Sequence, residues 1–140
     1  MERLAIAVAL VALAVVVAVV LDRRRPDAPT QARWAVPSQL DRADFVRPDT
    51  PWLVAVFTSA TCATCPKVVA KAGPLESPEV AVEEVEVGAR GDLHRRYGID
   101  AVPCLVVADA EGVVRASFVG PPNAADLWTT LADLREAGPA

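Results

Sequence analysis

The sequence predicts an α/β domain, a mixed central sheet flanked by helices, carried behind one N-terminal transmembrane helix. Three observations predict it. Leu4 to Leu21 is an unbroken run of 18 apolar residues. After it, short β-branched runs alternate with segments of helical spacing. The first of those strands leads directly into a Cys-x-x-Cys pair at the start of a helix.

The apolar run, as a helix, is roughly 27 Å long and suits a hydrocarbon core of about 30 Å. A cleaved signal peptide would have a shorter apolar stretch ending in small residues, whereas this one ends in Asp22-Arg23-Arg24-Arg25-Pro26. We therefore read residues 1–25 as a retained anchor with a basic flank, 26–33 as a tether rich in Pro and polar residues, and 34–140 as one domain. Residues 1–33 hold five arginines against Glu2, Asp22 and Asp27, a balance of +2. The whole-chain charge of −4 leaves −6 for the domain. An acidic domain is a poor match for nucleic acid, and no nucleic-acid partner is expected. Three cysteines are too few for a disulfide-stapled fold, so their chemistry should be local.

Within the domain, Ser38 is a plausible N-cap for a short helix through Leu40, Ala43 and Phe45, closed by Pro48. Trp52 to Phe57 is continuously apolar, as in a strand buried on both faces. Thr58 to Thr61 turns polar, and Cys62 to Ala72 has helical spacing until Gly73-Pro74. Val80 to Val87 reads as a second strand, with Glu83, Glu84 and Glu86 expected on a solvated face. A polar helix from Asp92 to Tyr97 ends at Gly98, and His94 is expected on its surface. Val102 to Val107 is a third strand entered through Pro103. Asp109 to Gly112 turns it into a fourth, Val113 to Val119, and the pair is a hairpin. The last helix, Ala124 to Glu136, aligns Leu127, Leu131 and Leu134 on one stripe. The order is β-α-β-α-β-β-α, with parallel connections expected first and a hairpin last. Trp52 and Trp128 are expected to pack, and Trp34 ends the tether.

Cys62-Ala63-Thr64-Cys65 suits thiol redox chemistry. Backbone N–H groups and the dipole at a helix N-terminus favour a thiolate on the first cysteine. The second lies within reach to resolve a mixed disulfide. Half of a zinc site has the same spacing, and Cys62, Cys65, Cys104 and His94 are of the right ligand types. Cys104, in an apolar strand, is read either as a small core residue or as a third thiol near the pair.

With the buried strand before Cys62-Ala63-Thr64-Cys65, the segment Tyr97-Gly98-Ile99-Asp100-Ala101-Val102-Pro103 and Val119-Gly120, residues 34–140 resemble the thioredoxin superfamily. Thirty-seven residues separate Cys65 from Pro103, a family-like spacing. The resemblance implies a thioredoxin-like fold and a dithiol-disulfide oxidoreductase acting in cell redox homeostasis. Cys62 would attack, Cys65 would resolve, and Pro103 would be cis and packed on the sulfurs. Val102, Thr61 and Gly120 would contact the substrate. No cofactor beyond the redox-active Cys62–Cys65 disulfide and no metal are implied. Partners would be protein disulfides and an electron donor, and the protein would act as a monomer.

The departures are specific. Thioredoxins carry Trp-Cys-Gly-Pro-Cys, whereas this chain has Thr61 before the pair, Ala63-Thr64 within it and Pro66 after it. The family's buried aspartate falls at Val56 and its neighbouring lysine at Glu84, so Glu84 is the candidate for proton transfer. Arg23, Arg24 and Arg25, with Arg33 further out, outweigh Arg3, so the domain is expected on the cytoplasmic side as a reductant. The alternatives are an exported reductant of the kind used in cytochrome c maturation, and a tethered module whose cysteines bind zinc or do no chemistry.

Overall fold

A computed structural model of the chain describes residues 1, 13–15 and 34–138. The chain divides between Arg33 and Trp34 into two units. The apolar run at 4–21 and the tether lie outside the described residues except for Leu13–Val15, which are helical. Among the described residues no helix is long and apolar enough to cross a membrane.

Among its described residues the second unit contains four strands and three helices. In chain order they are β1 (Trp52–Thr58), α1 (Cys65–Ala72), β2 (Val80–Glu86), α2 (Gly91–Arg96), β3 (Cys104–Ala108), β4 (Val114–Val119) and α3 (Ala124–Ala137), with single 3-10 turns at Arg42–Asp44 and Gly73–Leu75. The sheet order is β2-β1-β3-β4. β1 pairs with β2 in parallel and with β3 antiparallel, and β3 pairs antiparallel with β4. Only the first crossover is therefore parallel, fewer than the sequence led us to expect. α2 delivers the chain to the far side of β1 running the opposite way.

All seven residues of β1 are buried, which explains their continuous apolar character. Their alternation sorts the core into two layers. Leu53, Ala55 and Phe57 pack with Leu40, Phe45, Leu93, Cys104 and Val106. Trp52, Val54 and Val56 pack on the other face with Val68 and Ala72 of α1 and Leu127 and Leu131 of α3. The predicted stripe of the last helix is thus its buried face, while Trp128 beside it stays 47% exposed and donates its indole N–H to the Lys71 carbonyl at 3.0 Å.

Two further expectations, at Ser38 and His94, are corrected by the packing. Ser38 does not start a helix. Its carbonyl accepts from Val114 N–H at 3.0 Å, and Leu40 N–H donates to Gly112 O at 2.8 Å, so the segment is held extended against the hairpin turn. The cap is Asp41, whose Oδ1 accepts from Ala43 N–H at 3.0 Å. His94 is not at the surface: it is 5% exposed, donates Nε2–H to the Val85 carbonyl at 2.8 Å and stands edge-on to Phe57. A helix as short as α2 covers the sheet with Leu93 and His94 together.

Gly112 closes the β3–β4 turn, its N–H donating to Asp109 O at 3.0 Å, in the left-handed region at φ +80°. A Cβ there would fall 2.0 Å from the backbone oxygen of Leu40. Backbone cannot yield as a side chain does, so Gly112→Ala should cost more than about 2 kcal/mol in urea unfolding.

Candidate active site

The strand register assembles the site at one end of the sheet. Thr58 lies opposite Glu86, Phe57 opposite Cys104, and Cys104 opposite Val119. The C-termini of β1, β2 and β4 and the N-terminus of β3 therefore meet at one edge. The peptide Val102–Pro103 at this edge is cis. Gly120, at φ +89°, donates its N–H to the Pro103 carbonyl at 2.8 Å and continues the β3–β4 ladder beyond Val119. Val102 is half-buried against the layer that holds Phe57 and Cys104.

From β1 the chain makes a turn closed by Cys62 N–H to Ser59 O at 3.1 Å. Thr61 is exposed in that turn, its hydroxyl 3.1 Å from that of Ser59. Cys62 and Cys65 are joined in a disulfide with Cα atoms 5.5 Å apart. α1 begins at Cys65 rather than Cys62, with Thr64 as N-cap. The donors of its first turn are accounted for one by one. Cys65 N–H points at Cys62 Sγ, 3.2 Å away. Pro66 has no N–H, and Lys67 N–H bonds Thr64 O at 3.1 Å. The Thr64 hydroxyl lies 3.7 Å from Cys62 Sγ. Cys62 is half-buried, while Cys65 is 2% exposed. Cys62 is thus the more exposed residue of the pair, its sulfur facing the helix N-terminus, and Cys65 is buried.

Val56, where the family's aspartate would fall, is a buried core residue. Glu84 is its partner on β2, so it lies on the α1 side of the sheet, exposed, with the buried Thr58 donating its hydroxyl to Oε1 at 2.8 Å. The three glutamates of β2 are not an idle solvated face, contrary to expectation. Glu83 accepts from Val46 N–H at 2.7 Å, and Glu86 accepts from Ala60 and Ala89 N–H at 3.1 and 3.0 Å. No sequence periodicity signals the bonds to Val46 and Ala60, because those partners are backbone groups of distant loops.

Cys104 and His94 both lie on the layer opposite α1, Cys104 in register with Phe57 and His94 against its ring. The four residues of the zinc alternative are therefore not brought together. Among the described residues no group of three or more His, Cys, Asp or Glu side chains is placed to hold a metal ion.

No family model matches the sequence. The chain is 34% identical over 86 residues to a probable thioredoxin of Methanothermobacter thermautotrophicus, covering 59% of this chain and 95% of that protein. A probable thioredoxin of Methanothermobacter marburgensis is likewise 34% identical over 83 residues, 57% of this chain and 92% of that one. Among solved structures, thioredoxin from Fasciola hepatica superposes with a TM-score of 0.53 at 25% identity over 61% of this chain and 83% of its own. The oxidised form of mitochondrial thioredoxin 3 from Saccharomyces cerevisiae gives 0.53 at 21% identity over 62% and 82%, which speaks to the fold.

Cys104 is 2% exposed, and burial pushes its thiol from 9.0 up to about 11. Unfolding lets it ionise near the lower value, so its contribution to stability is intact below about pH 9 and is lost as pH rises toward about 11. Cys104→Ser should cost about 1–3 kcal/mol, for a hydroxyl buried among apolar groups, and leave disulfide reduction unchanged. Thermal unfolding and insulin reduction, measured on the same preparation, check both halves.

Proposed function

The chain belongs to the thioredoxin family and is a thiol-disulfide oxidoreductase, and from that premise we propose a membrane-anchored reductant of protein disulfides in which Cys62 attacks and Cys65 resolves. The Cys62 thiolate attacks one sulfur of a substrate disulfide. A Cys62–substrate bond forms as the substrate S–S bond breaks, and the departing sulfur leaves as a thiolate that takes up a proton. Cys65, deprotonated, then attacks Cys62 Sγ, closing the Cys62–Cys65 disulfide and releasing the second substrate thiol. Two electrons pass to the substrate, and a dithiol donor restores the pair. No dissociable cofactor is required, and the protein acts as a monomer.

The observation that carries the assignment is the asymmetry of the pair: a half-buried Cys62 sulfur receiving the Cys65 N–H, over a Cys65 that is 2% exposed. Donors aimed at sulfur stabilise a thiolate there and leave the buried thiol dependent on help to lose its proton. Glu84, held by Thr58 on the α1 side of the sheet, is the group proposed to take that proton. Pro103, buried where the chain enters β3 at this edge and accepting from Gly120 N–H at 2.8 Å, is the residue proposed to shape the site. Val102, Thr61 and Gly120 are the groups proposed to meet an extended substrate chain. In the reduced protein, iodoacetamide at pH 6–7 should alkylate Cys62 well before Cys65 or Cys104, as read by mass mapping. Cys62→Ser should abolish dithiothreitol-driven insulin reduction. Preferential labelling of Cys65 would reverse the roles.

The anchor is residues 4–21, supported by the length and uniform apolarity of the run. The arginines crowd its domain side, which supports a cytoplasmic domain in a compartment where thiols are kept reduced. Alkaline phosphatase fused after Ala140 is active only when exported, so the fusion should be inactive. Strong activity would move the domain to the other side and make it a reductant of exported thiols.

A further inference from the structure

We propose that Glu86 is a positioning residue for the Cys62–Cys65 centre, its carboxylate clamping the turn that presents Cys62 to the turn that follows β2, with Gly88 keeping the space the carboxylate occupies. This rests on the reading of Cys62 as the nucleophile.

The turn Ser59–Cys62 has few ties to the rest of the protein. Val87 N–H reaches Thr58 O at 3.0 Å, at the turn's base. Beyond that, Ala60 N–H, two residues before Cys62, donates to Glu86 Oε1 at 3.1 Å. The other carboxylate oxygen accepts from Ala89 N–H at 3.0 Å. The main chain of Glu86 is itself fixed by strand pairing with Thr58 and by Arg90 N–H on its carbonyl at 2.8 Å. One acceptor-only side chain thus spans two loops, which an amide could not do without turning its own N–H toward a donor. The N–H groups of Gly88 and Ala89, with that of Ala60, hold its carboxyl below the ordinary carboxylate range, so the clamp is anionic at neutral pH.

Gly88 supplies an independent sign of the same device. A Cβ at this position would lie 2.8 Å from Glu86 Oε2 and 3.5 Å from Oε1. The atoms it would strike are the far end of a flexible side chain. Gly88→Ala should therefore swing the carboxylate off its donors while leaving its charge in the molecule. With the clamp released, the turn is free to drift, and Cys62 Sγ with it, away from the Cys65 N–H that lies 3.2 Å from it in the disulfide form. A thiolate that loses such a donor forms at higher pH.

The experiment uses the reduced full-length protein, G88A and E86Q. It follows the rate of iodoacetamide alkylation at Cys62 against pH, insulin reduction with dithiothreitol, and thermal unfolding. In G88A the alkylation midpoint should move to higher pH and insulin reduction should fall about threefold or more, with the unfolding temperature nearly unchanged. In E86Q insulin reduction should fall likewise, with a smaller shift of the midpoint, because losing a nearby negative charge works in the opposite direction. Wild-type midpoint and rate in G88A would overturn the clamp. So would a change confined to E86Q with the midpoint moving down, which would make Glu86 a bare charge. If unsubstituted protein is alkylated first at Cys65, the nucleophile assignment fails and the proposal with it, a failure distinguishable because it is visible before any variant is compared.

Discussion

Burial of β1 on both faces is the constraint on which the rest of this domain depends. Trp52–Thr58 has a strand on either side and a helical layer above and below, so all seven of its residues are buried. A strand in that position fixes four neighbours at once. Its odd residues select Leu93, Phe45 and Cys104 for one layer, and its even residues select Val68, Leu127 and Leu131 for the other. Shifting its register by one residue would exchange the two layers entirely, so the pairing is strongly specified. The chemistry then hangs on its C-terminal end, where the chain leaves a rigid support and turns directly into Cys62.

That end of the sheet works as a frame whose members are mostly backbone. Pro103 and Gly120 extend the β3–β4 ladder by one bond, and Val87 and Thr58 extend β1–β2 by another. Side chains contribute where the backbone leaves a group unpaired: Thr58 with Glu84, and Glu86 with Ala60 and Ala89. At the start of α1 one donor is met by sulfur, one is removed by proline, and Lys67 N–H is met by the Thr64 carbonyl. Cys65 N–H points at Cys62 Sγ and Pro66 has no N–H to satisfy. The first donor of the helix is thus met by the redox centre itself.

At the opposite end of the sheet, the segment before β1 is fastened by a buried cation. Arg42 is 7% exposed and donates to Thr50 O at 2.9 Å, Asp109 O at 2.8 Å and Thr50 Oγ1 at 2.9 Å, binding the 3-10 turn to the end of β3. Burial lowers its pKa despite the nearby Asp109, Asp49 and Glu111 charges. Asp109, fully buried, turns instead to Arg115 at 2.7 Å and to the N–H groups of Glu111 and Val113. The hairpin turn and the N-terminal segment therefore stabilise each other, well away from the cysteines.

The sequence by itself determined the elements and the chemistry-bearing pair, because both are written in local signals. A continuous apolar run of strand length, a Cys-x-x-Cys before helical spacing, a Pro-led strand and a Leu127/Leu131 stripe each depend on residues a few positions apart. Tertiary structure alone decided the direction of β3, the burial of His94 and Arg42, the extended path at Ser38 and the tasks of Glu83, Glu84 and Glu86. Each of these is a polar group or a strand whose partner belongs to another element of the fold, nine residues away for His94 and Val85 and 67 for Arg42 and Asp109. Side-chain type predicts exposure only while no such partner exists, and hydrogen bonds to distant backbone leave no period in the sequence.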